Sequence, residues 1–374
     1  MSEAEQRSGA TLAARLRERI RLEGAITFRD WMQFALYDES EGYYCRRDNA
    51  IWGRAGDYRT SPERSPLFAA TFAGYFAKLY EELGAPAAWT ILEAGAGAGH
   101  FARGVLQTLE SQYPQVFNAT RYLIDEVNLK GRERLRQFLN PFKDKIDFVS
   151  LDEIEEPLDA GIIFSNELLD AMPVHRVRLR DGRLFELCVG LDEADEYVWI
   201  EAEPTTQLLE TYFTDLQVRL VEGQRAEVNL AAGVWLCRAA RALQSGYVIT
   251  VDYGAEASEL FNPHARPEGS LRAFAQHRFA GNVLAHPGEQ DITTTIDWTH
   301  LKRAGESCRL ETLSFERQDK FLLRAGLPEH LERMTGTAHA GADALMLSTG
   351  AREMILPGGM SESFQVLVQK RLTA

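Results

Sequence analysis

Residues 89–99, WTILEAGAGAG, constrain this chain more than any other stretch. A short β-rich run, Trp89 to Leu92, leads into Glu93 and then Gly95, Gly97 and Gly99, and a helical pattern opens straight after. Glycines at alternate positions remove the Cβ atoms that would hold a ligand off the backbone turn. The helix that follows directs unpaired N–H groups at whatever fills that turn. Strand, glycine turn and helix together predict a nucleotide-type cofactor site; a tight turn without a ligand is the plainer reading of the motif taken alone.

The spacing chooses among cofactors. A dinucleotide fingerprint, G-x-G-x-x-G, begun at Gly95 meets His100 where glycine is needed, and begun at Gly97 it meets Ala102. The pattern is instead E-x-G-x-G-x-G. A carboxylate at the strand end repels a pyrophosphate and suits a ligand with a cationic amine. S-adenosylmethionine (SAM) carries an ammonium and a sulfonium and no phosphate, so it fits Glu93 better than NAD does.

A second buried strand, RYLIDE (121–126), ends in carboxylates. An acid at that strand tip can accept both ribose hydroxyls. Glu126 is the expected residue, because Asp125 falls one position inside the strand. The gap after Gly99 exceeds the usual ~20 residues, which predicts an extended helix and loop over 100–120. A third strand, 146–150, precedes Asp152, placed either to meet the adenine amino group or to cap the helical DEIEE segment.

Period-2 and period-3.6 patterns organise the rest. Residues 1–87 read as a mainly helical N-terminal section, and 88–374 as one α/β domain. Strands alternate with helices through the fourth strand, 160–167, which predicts a parallel sheet. HRVRLRDGRLFELCVG then alternates around Asp181-Gly182, a hairpin signal, within an antiparallel insertion at about 174–232. The parallel pattern returns with helix 233–244 and strand 246–254. A polar insertion occupies 255–297, and a final strand pair is built from residues near 310–315 and 364–372.

Charge and cysteines limit the class. The formal net charge of −14 opposes a phosphate-backbone partner, so no nucleic acid is expected. No apolar run approaches the ~20 residues of a membrane span. The first twenty residues mix acids with arginines, unlike a signal peptide or an acid-poor transit peptide. Cys45, Cys188, Cys237 and Cys308 lie far apart, which argues against zinc and against a disulfide framework. A reducing cytoplasm, with no structural metal, is the expectation.

Ligands of open parallel sheets bind outside the strand carboxyl ends. After strand four come Asn166, Glu167 and Asp170, an amide and two carboxylates within five residues. A helix there would put Glu167 and Asp170 on one face; alternatively Asn166 and Asp170 cap that helix. Carboxylates beside a methyl donor suit an arginine guanidinium, which stays protonated and pairs bidentately. Asp252 and Tyr253 end the fifth strand at the same edge, as substrate ligands or as turn stabilisers. His277, in the polar insertion, is a candidate substrate-side base.

These blocks resemble the MidA-like family of class I SAM-dependent methyltransferases, whose mitochondrial members are complex I assembly factors that symmetrically dimethylate an arginine. The resemblance covers TFRDWMQFALYDESEGYY, GDYRTSPERSPLF, ILEAGAGAGHF, FSNELLDAMPVHR, ITVDYG, GSLRAFAQH, PGEQDITTTIDW and PGGMSESFQVLV. It implies a Rossmann-like methyltransferase fold and SAM as cofactor. It also implies Gly95, Gly97, Gly99 and Glu126 as cofactor residues, and a protein arginine as one acceptor class. A small-molecule O- or N-methyltransferase and a non-catalytic SAM-binding assembly protein are the competing readings. Ala96 stands where the family has proline, and Phe274 where tyrosine is common.

Overall fold

The buried apolar runs become the strands of one sheet. The computed structural model describes residues 11–46, 65–275, 278–336, 341–356 and 363–372. Its largest sheet contains β1 (Trp89–Ala94), β2 (Thr120–Asp125), β3 (Ile146–Val149), β4 (Gly161–Asn166), β5 (Gly246–Ala255), β6 (Leu310–Arg317) and β7 (Phe364–Arg371), ordered β6-β7-β5-β4-β1-β2-β3. Strands β3-β2-β1-β4-β5 pair in parallel, and β7 runs antiparallel to both β5 and β6. The order reverses direction at β1 and β4, which makes the carboxyl ends of those two strands the switch point where open α/β sheets take ligands.

Helix α1 (Pro66–Glu82) begins at Ser65, whose hydroxyl accepts from the Leu67 amide, with Pro66 at its first position. Phe68, Phe72 and Phe76 recur every fourth residue and are fully buried. Phe72 and Phe76 meet Phe101 of α2 (His100–Gln112) and Phe164 of β4 edge-on, while Phe101 stacks on Phe164 at 4.2 Å. Each such side chain contributes about 2–3 kcal/mol through burial, so these rings hold β4 and α2 in fixed register. The long link from Gly99 to β2 is not helix plus loop. Pro114 ends α2 and starts a second short helix, Pro114–Ala119, as a residue without an N–H must.

The chain divides into two compact units. The second draws its described residues from Trp52–Leu169, Trp235–Tyr253 and Lys302–Ala374 and holds the elements above up to Tyr253. The first draws on Met1–Ile51, Asp170–Val234 and Gly254–Leu301. There, His175–Arg180 and Arg183–Leu191 form the predicted hairpin, with positive φ at both Asp181 and Gly182 as its two-residue turn requires. Ile26–Thr27, Tyr197–Ala202 and Arg225–Val228 complete an antiparallel five-stranded sheet. A separate three-stranded sheet uses Arg272–Ala275, Arg278–Phe279 and Asp291–Thr293.

One expectation is corrected. Cys237, in helix Leu230–Arg241, and Cys308 form a disulfide with Cα atoms 5.4 Å apart. They lie 71 residues apart in sequence, so spacing gave no signal of the pairing. Cys45 and Cys188 are free and buried.

Candidate functional site

All three glycines of the turn after β1 have positive φ: Gly95 at 73°, Gly97 at 53° and Gly99 at 82°. Side chains are excluded for two different reasons. A Cβ at Gly99 would stand 2.7 Å from Leu135 Cδ2, and one at Gly95 would stand 3.0 Å from Leu168 Cδ1. Gly99 also caps α2 without any side-chain hydrogen bond, so the helix presents its N-terminal amides towards the turn. The Gly95 amide donates to Asp125 O, tying the turn to β2.

Glu93 is buried at the end of β1, and its Oε2 accepts from the Tyr122 hydroxyl at 2.6 Å. Burial raises its pKa to about 7 against the single hydrogen bond that lowers it. At the tip of β2, Asp125 Oδ2 accepts from the Leu151 amide and Glu126 Oε1 from the Asn128 amide. Burial raises both carboxyls. Arg132 Nε donates to the Glu126 carbonyl oxygen, and Asn128 caps α3 (Leu129–Phe138) through its side chain. Thus Asp125 is engaged with the loop after β3, and Glu126 stands just beyond the strand, as its position predicted. Asp152 lies in an exposed ion pair with Arg238 at 2.7 Å.

No helix follows β4, so the shared helical face expected for Glu167 and Asp170 does not form. Residues 167–170 are turn and bend instead. Asn166 Nδ2 donates to Glu167 Oε1 at 3.1 Å, and Glu167 has φ 51°, a left-handed conformation unusual for a side-chain-bearing residue. Its amide donates to Val251 O of β5. Buried Asp252 receives the Leu169 amide on Oδ2 and the Tyr253 amide on Oδ1. Its carboxylate therefore holds the backbone just after β4. Tyr253 meets Phe364 edge-on. In the first unit, the carbonyl of buried Asp170 accepts from the Thr294 amide. His277 and residues 56–64 of the GDYRTSPERSPLF block lie outside the described residues.

Sequence reasoning missed Tyr122, Arg132 and Asn128. Only Asn128 carried a signal, as a helix-capping residue type immediately before a helical start.

The donor set matches one chemistry. Glycines at positive φ, an uncapped helix start, a buried acid with one donor and an acid beyond β2 suit a nucleoside ligand with a cationic tail. Proteins of this class hold such a cofactor across the carboxyl ends of parallel strands. A family model described as S-adenosyl-L-methionine-dependent methyltransferase matches residues 71–316. The chain belongs to this family, and SAM is its cofactor.

A COG1565 superfamily member from Burkholderia thailandensis, crystallised with S-adenosyl-homocysteine (SAH), superposes with a TM-score of 0.86 at 28% identity, covering 96% of this chain and 92% of that one. The mitochondrial protein arginine methyltransferase NDUFAF7 homolog of Drosophila melanogaster is 24% identical over 98% of this chain and 86% of its own length. Human NDUFAF7, under the same protein arginine methyltransferase name, is 22% identical over 92% of this chain and 80% of its own. Both relatives are named mitochondrial, which overturns the cytoplasmic expectation. Acids in an N-terminal segment do not assign a compartment.

Proposed function

We propose that this methyltransferase transfers its methyl group to a guanidinium nitrogen of a protein arginine. In the same reading the large mixed sheet is a Rossmann-like class I methyltransferase fold, with a helical N-terminal section and an antiparallel insertion. The observation that carries the acceptor class is the hydrogen-bonded Asn166–Glu167 pair after β4, with Glu167 held at φ 51°. A residue kept in a sparsely populated conformation costs of order 1–3 kcal/mol, which points to a positional role. The names of the full-length relatives support the same acceptor.

Bound SAM supplies a methyl group on an electron-poor sulfonium. Gly95, Gly97 and Gly99 give it room against the backbone, and Glu126 accepts the ribose hydroxyls. Glu93 faces its ammonium. Glu167 binds the guanidinium N–H groups, orients one nitrogen and takes the proton that the methyl replaces, while Asn166 holds the Glu167 carboxylate in place. Asp170 adds a second carboxylate on the acceptor side, and Asp252 and Tyr253 keep the loop shape. Alignment of two reactants is worth up to ~7–11 kcal/mol in well-oriented systems. Asp152 takes up the adenine amino group through Oδ2, its Oδ1 being paired with Arg238.

The test is incubation of the purified protein and a cell extract with methyl-labelled SAM. Label in protein that hydrolyses to methylarginine is expected, and Glu167→Gln should lower incorporation about 100-fold with SAH affinity kept. Label confined to small metabolites would refute the arginine acceptor.

A further inference from the structure

Tyr122 is assigned no role by its place in a buried strand, yet it is the sole hydrogen-bond partner of the Glu93 side chain among the described residues. The register sets Tyr122 opposite Ile91 and Ile124 opposite Glu93. Residues two apart share a face of a strand, so Tyr122 and Glu93 are diagonal neighbours on one face of the sheet. Tyr122 is 0% exposed and Glu93 4%. A buried carboxylate stabilised in its charged form collects two or three donors. Here Oε2 has one, and Oε1 accepts none from the described residues.

The arrangement is half-complete: an interior carboxyl group, fixed at one oxygen, two residues before a glycine turn. An interior charge needs a partner. SAM and SAH carry one suited to it at their amino-acid end, an ammonium, while the adenosine end is neutral.

We propose that Tyr122 is a positioning residue that fixes Glu93 through Oε2, so that Oε1 receives the ammonium of the cofactor's amino-acid end. Tyr122 thereby confers selectivity for the amino-acid end and leaves the adenosine end unaffected. The inference rests on the cofactor role proposed for Glu93.

Calorimetric titration of the full chain with two probes tests it. SAH has the ammonium; 5′-methylthioadenosine shares the thioether and adenosine but lacks the amino-acid end. Glu93→Gln and Tyr122→Phe should each weaken SAH about tenfold, the scale of one hydrogen bond to a charged group. Each should leave methylthioadenosine within about twofold. The double variant should lose no more than Glu93→Gln alone, because the two side chains act as one. Equal weakening of both probes by Tyr122→Phe would overturn the proposal, since general support of β2 would produce it. Unchanged SAH affinity in Glu93→Gln would overturn it together with the role of Glu93. Wild-type protein that binds methylthioadenosine but not SAH would overturn the amino-acid-end placement while sparing the nucleoside site. Should Tyr122→Phe not fold, 3-fluorotyrosine at position 122 replaces it, keeping the hydrogen bond with a more acidic phenol. A changed SAH affinity at constant methylthioadenosine affinity is then expected, and parallel changes count against the proposal.

Discussion

Two buried carboxyl groups, one in each unit, accept a tyrosine hydroxyl and differ in their remaining partners. Asp297 takes the Tyr212 hydroxyl on Oδ2 at 2.9 Å and the His300 amide on Oδ1 at 3.0 Å. It precedes helix Trp298–Ser307 and serves as its N-cap. The Glu93 carboxyl has the Tyr122 hydroxyl and, among the described residues, no backbone donor. Burial raises Asp297 to about 6 and Glu93 to about 7. The first acid is saturated by its own fold, and its function ends there. The second is left with capacity for a ligand, and the fold tolerates the cost. A buried polar group left with spare acceptor capacity calls for an explanation that a fully bonded one does not.

The comparison predicts a ranked set of effects. Asp297→Ala removes a cap and strands the Tyr212 hydroxyl, which should lower the unfolding free energy by about 4 kcal/mol. Urea denaturation measures it, and SAH affinity of the folded variant should change less than about threefold. A large loss of SAH affinity would erase the distinction between the two acids.

Glu93→Gln should do the opposite. Below its ordinary value of 4.5 the Glu93 carboxyl is protonated in folded and unfolded chains alike. As pH rises towards about 7 the folded chain retains a proton that the unfolded chain releases, so wild-type stability falls relative to the variant. Above that value the difference is constant, on the order of 3 kcal/mol. Urea midpoints of the ligand-free proteins at pH 4.5 and pH 8 test this, and a difference that does not widen with pH would contradict it.

Glu126→Ala should weaken SAH roughly 100-fold, the scale of losing hydrogen bonds to one charged group, with unfolding little changed. Gly99→Ala should cost about 1–2 kcal/mol in stability, from the left-handed backbone and the approach to Leu135. Its Tm compared with that of wild type reads this smallest effect.

The sheet was legible in the sequence to within a residue or two at most strand ends. Apolar runs such as Ile162–Phe164 and Val248–Val251 are bounded by glycine or acids, and a buried strand has little other way to be written. Asp181-Gly182 revealed its hairpin because a two-residue turn needs φ > 0 twice. The site was legible where chemistry is local, in the glycine turn and the acid beyond β2. It was illegible where it depends on pairing across strands. Tyr122 reads as one more aromatic strand residue until the register sets it diagonal to Glu93. That Asp252 holds two backbone amides, one from 83 positions away, is likewise invisible until β4 and β5 are paired. The absent helix after Asn166 follows from the Glu167 amide bonding to Val251 O, a β5 contact that no local propensity encodes.

The position of β7 has a consequence for synthesis. Phe364–Arg371 is among the last parts of the described chain to leave a ribosome, yet it lies between β5 and β6 rather than at an edge. Until those eight residues emerge, β6 has no neighbour in the sheet, and the flank of β5 presents open N–H and C=O groups. Such an unpaired edge invites association with other chains. The nascent protein therefore exposes this flank from the synthesis of β5 until Phe364–Arg371 emerges.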